Sequence, residues 1–250
     1  MRVSFVIPAY NEAANIGRCL DSIFRELKAA HGEGEVVVVD NGSTDRTAEL
    51  AGAYPEVLVV PEPRKGITVA RQAGFAASRG DLVASVDADT MLTLGWLQTV
   101  LREFSRDPQL VCLSGPFIYY DMPRSVRFWT RLFYAAAFVT YLVNRFVLRT
   151  GSMAQGGNFI CRRWALERIG GFDTTIDFYG EDTDIAQRLH HVGGVKFTFR
   201  LPIYASGRRI VAEGLIVTGA RYVLNYFWVI VFRKPFTRVS TDIRPFPVEP

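Results

Sequence analysis

Cysteine and histidine are both scarce, three of each in 250 residues. Cys19, Cys112 and Cys161 are odd in number, far apart and without a Cys-x-x-Cys pair. That excludes a disulfide framework and a zinc knuckle, and it fits a reducing cytoplasm. His31, His190 and His191 fall at positions that suggest no metal site. No Gly-x-Gly-x-x-Gly follows an apolar run and no Walker lysine loop is present, so the ordinary dinucleotide and P-loop cradles are missing. The opening MRVSFVIPAYNE has too short an apolar run for a signal peptide and reads as a first strand. No stretch reaches the roughly 20 uninterrupted apolar residues that a bilayer span requires. Internal repeats and low-complexity segments are absent as well.

What is present is a chain that can close a substantial core, since 49% of its residues are apolar. Its charge is unevenly placed. Residues 1–120 carry 11 basic and 15 acidic side chains, whereas residues 121–250 carry 18 and 10, so the two parts face different partners.

Short apolar runs at 3–7, 36–39, 57–60 and 82–86 alternate with segments of helical spacing, as in Ile16, Cys19, Leu20, Ile23 and Leu27. The four valines at 36–39 have no polar alternation, the pattern of a strand buried on both faces. Strand alternating with helix predicts an α/β fold with a mainly parallel, Rossmann-like sheet flanked by helices. In such sheets ligands sit beyond the carboxyl ends of the strands. Those positions are polar here: Pro8-Ala9-Tyr10-Asn11-Glu12, then Asp40 and Asp45, then Asp87-Ala88-Asp89. Helix capping accounts for Asn11, Ser43 and Asp45 but not for Asp87 and Asp89 together. Two carboxylates one residue apart can share a hard divalent cation and leave positions for phosphate oxygens, although a solvated turn is the commoner meaning of such a triplet.

The segments VIPAYNEAANIGRCLDSI, VVVVDNGSTDRTAEL, GITVARQAGFAASRGDLVASVDADT, and GGFD followed by GEDTDIAQRL resemble family 2 glycosyltransferases of the GT-A fold. The four ordered motifs extend from position 3 to about 195. The resemblance implies an inverting transferase that moves a sugar from a nucleoside-diphosphate sugar with the help of Mn2+ or Mg2+. It implies that Pro8, Ala9, Tyr10 and Glu12 line the base and ribose and that Asp40 contacts the base. It places Arg71 beside the nucleotide, although a helix surface charge is an equal reading. Asp87 and Asp89 match the Asp-x-Asp of the family, Asp89 as the metal ligand and Asp87 toward the ribose or a metal-bound water.

Glycosyl transfer also needs a base for the acceptor hydroxyl and a counter-charge for the leaving diphosphate. Glu181-Asp182 matches the Glu-Asp motif of the family, with Asp182 as the base; residues alone would make the pair a helix N-terminus. Gly156-Gly157-Asn158 matches a segment lining the donor sugar and acceptor, or is a tight turn. Many relatives complete the metal site with a histidine after the last core strand, and residues 202–209 contain none. Arg208 and Arg209 in that stretch suit a diphosphate, or form a basic surface loop.

Read as one helix at about 100° per residue, segment 124–149 puts Arg124, Arg127, Arg131, Arg145 and Arg149 on one stripe among apolar and aromatic neighbours with no acid. That suits an interfacial helix on anionic lipid, or a buried helix whose arginines snorkel outward. Residues 222–232 are apolar except for Asn225 and too short to span a bilayer. The expected organisation is a nucleotide-sugar half (1–120), an acceptor and base half (121–210), and an apolar helix with an extended tail (211–250), forming the acceptor-side helical region. The expected acceptor is a hydroxyl or phosphate on a lipid-linked or cell-envelope glycan, reached from the cytoplasmic face, and nucleic acid is not an expected partner. A polyprenyl-phosphate sugar synthase is the alternative, lowered because Asp89 is followed by Thr90-Met91-Leu92 and not by a His-rich turn. The Glu181-Asp182 pair argues against a non-catalytic binder.

Overall fold

The computed structural model describes residues 1–143, 153–232 and 235–237. The first half of the chain alternates as the apolar runs predict: β1 (Val3–Ala9), α1 (Ile16–Ala29), β2 (Gly34–Asp40), α2 (Thr47–Gly52), β3 (Val57–Pro61), α3 (Ile67–Ala77) and β4 (Leu82–Val86). β5 (Thr90–Leu92), α4 (Trp96–Arg106), β6 (Leu110–Ser114), β7 (Phe117–Tyr119) and α5 (Arg124–Leu142) follow. The remainder comprises β8 (Asn158–Arg162), α6 (Arg163–Arg168), α7 (Glu181–His190), β9 (Gly194–Phe197), β10 (Ile203–Ala205), α8 (Arg208–Glu213) and α9 (Leu215–Phe232).

A seven-stranded sheet runs in the order β3-β2-β1-β4-β8-β6-β9. β1 pairs in parallel with β2 and β4, β2 with β3, and β6 with β9. Parallel neighbours need a crossover, and the intervening helices supply it. β8 departs from the alternation. It lies antiparallel between β4 and β6, so a strand from the second half of the chain fills the gap between two from the first. A smaller sheet, β5-β10-β7, follows directly from the Asp87-Ala88-Asp89 turn and walls the polar edge.

Helices cover both faces. Val36 and Val38 join a cluster with Ile16, Leu20 and Trp96 on one side, while Val37 and Val39 pack with Ala70 of α3 on the other. α3 sits close on the sheet because Gly74 lets it: a Cβ there would lie 2.3 Å from Val6 Cγ1 and 2.9 Å from Val39 Cγ2. Arg71 is three residues earlier on the same helical face, so its side chain is carried inward as well.

α9 starts at Leu215, earlier than the apolar run at 222 suggests, and α5 is described to Leu142. Arg145, Arg149 and residues 233–234 lie outside the described residues. On α5, Tyr134 and Tyr141 are buried while Phe128, Trp129, Leu132 and Phe133 are exposed beside Arg124 and Arg131. Among the described residues no helix is long and apolar enough to cross a membrane.

Candidate functional site

Beyond the carboxyl ends of β1, β2 and β4 the chain encloses a cleft of about 620 Å³. Pro8, Ala9, Tyr10, Glu12, Asp87 and Asp89 line one side, and Arg208 and Arg209 line the other. The loops after β1 and β2 are fastened together. Asn11 N–H donates to Ser43 Oγ at 3.0 Å, Thr44 N–H to Asn11 Oδ1 at 2.8 Å, and Ala13 N–H to Asp45 Oδ2 at 3.1 Å. These polar residues thus tie two loops to each other, and Asp45 also accepts from Thr47 N–H at 2.9 Å at the start of α2. Asp40 accepts from Ser43 N–H at 3.2 Å and is not among the cleft residues; its neighbour Asn41 is. Asn41 fixes the next loop by donating to the Glu62 and Arg64 carbonyls and accepting from Gly66 N–H. That loop brings Lys65 over the Tyr10 ring, 3.3 Å from its centroid.

The acids after β4 meet Arg208, the first residue of α8. Its guanidinium is ion-paired with Asp89 Oδ2 at 3.0 Å and doubly with Glu12, one of those bonds at 3.0 Å. Burial, with Asp87 and Glu12 adding their repulsion against the pull of Arg208, pushes the Asp89 carboxyl up to about 7. A crowded set of half-buried carboxylates of this kind is stabilised by added positive charge. Among the described residues no group of three or more His, Cys, Asp or Glu stands ready to hold an ion. Asp89 and Asp87 nevertheless suit a hard divalent cation, provided that Arg208 yields and phosphate oxygens and water supply the remaining ligands.

Beneath the cleft lies a second charge cluster that the sequence showed only in pieces. Arg71 is 0% exposed, which rules out the surface-charge reading. Its Nη2 donates to Asp87 Oδ1 at 3.1 Å, its Nη1 is ion-paired with Glu181, and the guanidinium lies 5.4 Å from the Phe159 ring centroid. One buried cation therefore joins the strand-end acid to the first residue of α7. Burial raises Glu181 to about 7, with Arg71 opposing and Asp182 adding. Asp182 is also raised, by burial, while the N–H groups of Gly156 and Thr183 and the Arg71 charge hold it down. Gly180, in the left-handed region at φ 81°, is the helix N-cap, so Asp182 is free of that duty. Its Oδ2 accepts from Gly156 N–H at 3.2 Å, across the chain.

Gly157 and Asn158 need correction as sugar contacts. Gly157 has φ 76°, and the Asp87 carboxylate occupies the space a Cβ would take, 2.1 Å from that position, so its part is to seat Asp87. Asn158 is wholly buried. It accepts from Trp96 Nε1 at 3.1 Å and donates to the Gly115 and Leu201 carbonyls, so its amide is used inside the core. Arg208 and Arg209 lie on a helix and not in a surface loop; Arg209 is paired with Glu213 at 3.0 Å.

The cleft also contains residues that sequence reasoning passed over: Asn41, Lys65, Tyr119, Phe178, Thr218 and Tyr222. Lys65 carried a signal, as a base directly before the GIT segment. The aromatic residues did not, because ring-rich runs read equally as core.

Comparison with known proteins agrees with this architecture. Residues 4–170 match the family described as Glycosyl transferase family 2. The chain is similar to the pre-mycofactocin glycosyltransferase of Mycobacterium tuberculosis, with 32% identity over 196 residues, which is 76% of this chain and 39% of that protein. Among solved structures it resembles the mannosyltransferase PcManGT from Pyrobaculum calidifontis in complex with GDP-Man and Mn2+, at TM-score 0.63 and 23% identity, covering 88% of this chain and 64% of that one. It also resembles S. aureus TarS 1-349 in complex with UDP-GlcNAc, at TM-score 0.64 and 18% identity, covering 95% and 68%. The chain spans well under half the length of the mycobacterial relative. The fold is GT-A, and the chain belongs to glycosyl transferase family 2.

Proposed function

We propose that this chain transfers a sugar from a nucleoside-diphosphate sugar to an acceptor hydroxyl or phosphate with inversion at the anomeric carbon. The observation that carries the reading is the single buried tie Asp87–Arg71–Glu181, which links the acids lining the cleft to the end of α7 that carries Asp182. Pro8, Ala9, Tyr10 and Glu12 receive the nucleoside, with Lys65 and Asn41 beside them. Asp89 and Asp87 would hold Mn2+ or Mg2+, which when bound supplies positive charge to the diphosphate. The acceptor oxygen attacks the anomeric carbon from the face opposite the diphosphate and gives its proton to Asp182. The bond to the diphosphate oxygen breaks, and that oxygen leaves with the electron pair. Burial makes Asp182 a stronger base than an ordinary aspartate, which suits the task. The acceptor belongs to a lipid-linked or cell-envelope glycan, and α5 meets an anionic membrane surface through its exposed rings and the basic Arg124 and Arg131.

The test is thermal denaturation of the full chain with UDP, GDP or dTDP, each with and without Mn2+. One nucleotide should raise the midpoint in a Mn2+-dependent way, and Asp89→Ala should remove that dependence. No shift with any nucleotide overturns the reading.

A further inference from the structure

The two ends of the cleft differ in chemistry. Residues 8–89 supply the carboxylates and Lys65, while the later elements supply Tyr119, Phe178, Tyr222, Ile210 and Thr218. Three observations limit what the second end can take. The first concerns charge. Arg209 is engaged by Glu213 and by the Tyr179 hydroxyl, Arg221 reaches the same Glu213 carboxylate at 2.7 Å, and Arg208 is held by Glu12 and Asp89. The exposed Asp177 adds a negative charge at the rim. A phosphate entering here meets guanidinium groups already engaged by carboxylates and, at the rim, an acid that repels it. The second concerns Thr218, which is 6% exposed and whose hydroxyl has no hydrogen-bond partner among the described residues. A buried hydroxyl left in that state favours a ligand able to complete it. The third is the aromatic wall. Phe178 packs edge-on against Tyr179 with centroids 5.0 Å apart, and Tyr179 packs likewise against Tyr222 at 6.0 Å. α9, which carries Tyr222, packs against α7, whose second residue is Asp182, so the wall adjoins the element that carries the proposed base.

We propose that this aromatic end is the acceptor subsite and that it takes a neutral pyranose ring, not a phosphate. The flat carbon-bearing face of the sugar stacks on Tyr222 and Phe178, one ring hydroxyl completes Thr218 Oγ1, and a second is directed to Asp182. The inference rests on the glycosyl-transfer reading and narrows its acceptor from hydroxyl or phosphate to hydroxyl alone.

The experiment titrates the full chain, with Mn2+ and either UDP or GDP present, against the methyl β-D-glucoside, α-D-mannoside and N-acetyl-β-D-glucosaminide. Farnesyl phosphate is titrated in parallel, and binding is followed by calorimetry and saturation-transfer NMR. At least one methyl pyranoside should bind more tightly than farnesyl phosphate. Tyr222→Ala and Thr218→Val should each weaken that binding by about tenfold, the scale of one stacked ring or one buried hydrogen bond. Nucleotide binding, measured on the same samples, should be unchanged in both variants. Preference for farnesyl phosphate, absence of pyranoside binding, or pyranoside binding untouched by both substitutions overturns the assignment. Loss of nucleotide binding in the unmodified protein would instead strike the donor reading.

Discussion

At the scale of single residues, Arg71 and Asp182 separate structure from chemistry. Arg71 has no exposure and two carboxylate partners, so Arg71→Met leaves Asp87 and Glu181 facing each other without a counter-ion. We expect a loss of about 3–5 kcal/mol of stability, measured by chemical denaturation. Asp182→Asn keeps the size of the side chain but not the basicity, and gives up one of the two bonds it accepts from Gly156 N–H and Thr183 N–H. Transfer should fall by about 10²–10⁴-fold while nucleoside-diphosphate binding holds, and normal turnover would remove Asp182 from the role of base. Glu181 yields a pH prediction. Its folded carboxyl titrates near 7, above the unfolded value near 4, so between those limits the folded state binds more protons than the unfolded one. Its contribution to stability therefore declines as pH rises through that window. Glu181→Gln should flatten the urea midpoint against pH over the same range, and an unaltered slope would contradict the shift.

At the scale of elements, the strands of the first half were legible because each is a short apolar run followed by turn chemistry, as at 36–39 and 82–86. β5, β7 and β10 were not, because three residues are too few to display a period. The antiparallel placement of β8 was hidden for a different reason: its neighbours Leu82–Val86 and Leu110–Ser114 come from distant chain segments, and pattern alone does not reveal pairing across such separations. Arg71 was ambiguous because helical spacing fixes a face but not which face is covered, and Glu181 lies far along the chain. α8 carries a prediction of its own. Arg208 stands where added positive charge would go, so Arg208→Ala should tighten binding of Mn2+ in the absence of nucleotide by about tenfold or more, read by electron paramagnetic resonance. Weaker binding would mean that the arginine supports the cation and does not compete with it. For α5, replacing Arg124, Arg127 and Arg131 with Gln should abolish flotation with anionic liposomes at low salt, and the parent protein should itself detach as salt rises.

At the scale of the whole molecule, the cleft is built jointly. The earlier part of the chain brings the acids after β1 and β4, while α8 brings the arginines, and Phe178 and α9 bring the aromatic wall. The acids and the arginines were visible in the sequence as motifs, but the aromatic wall was not, and neither was the distance between the two sets. It depends on Gly74 seating α3 on the sheet and on Arg71 reaching from α3 to two strand and helix ends. The insertion of β8 has a practical outcome for dissection. A fragment ending at residue 120 would strip β4 and β6 of the partner that lies between them, exposing two rows of unmatched amides on otherwise apolar strands. Such a fragment should self-associate and precipitate even though it holds every residue of the nucleoside end, and co-expression with the complementary piece should restore a soluble complex by returning the missing strand.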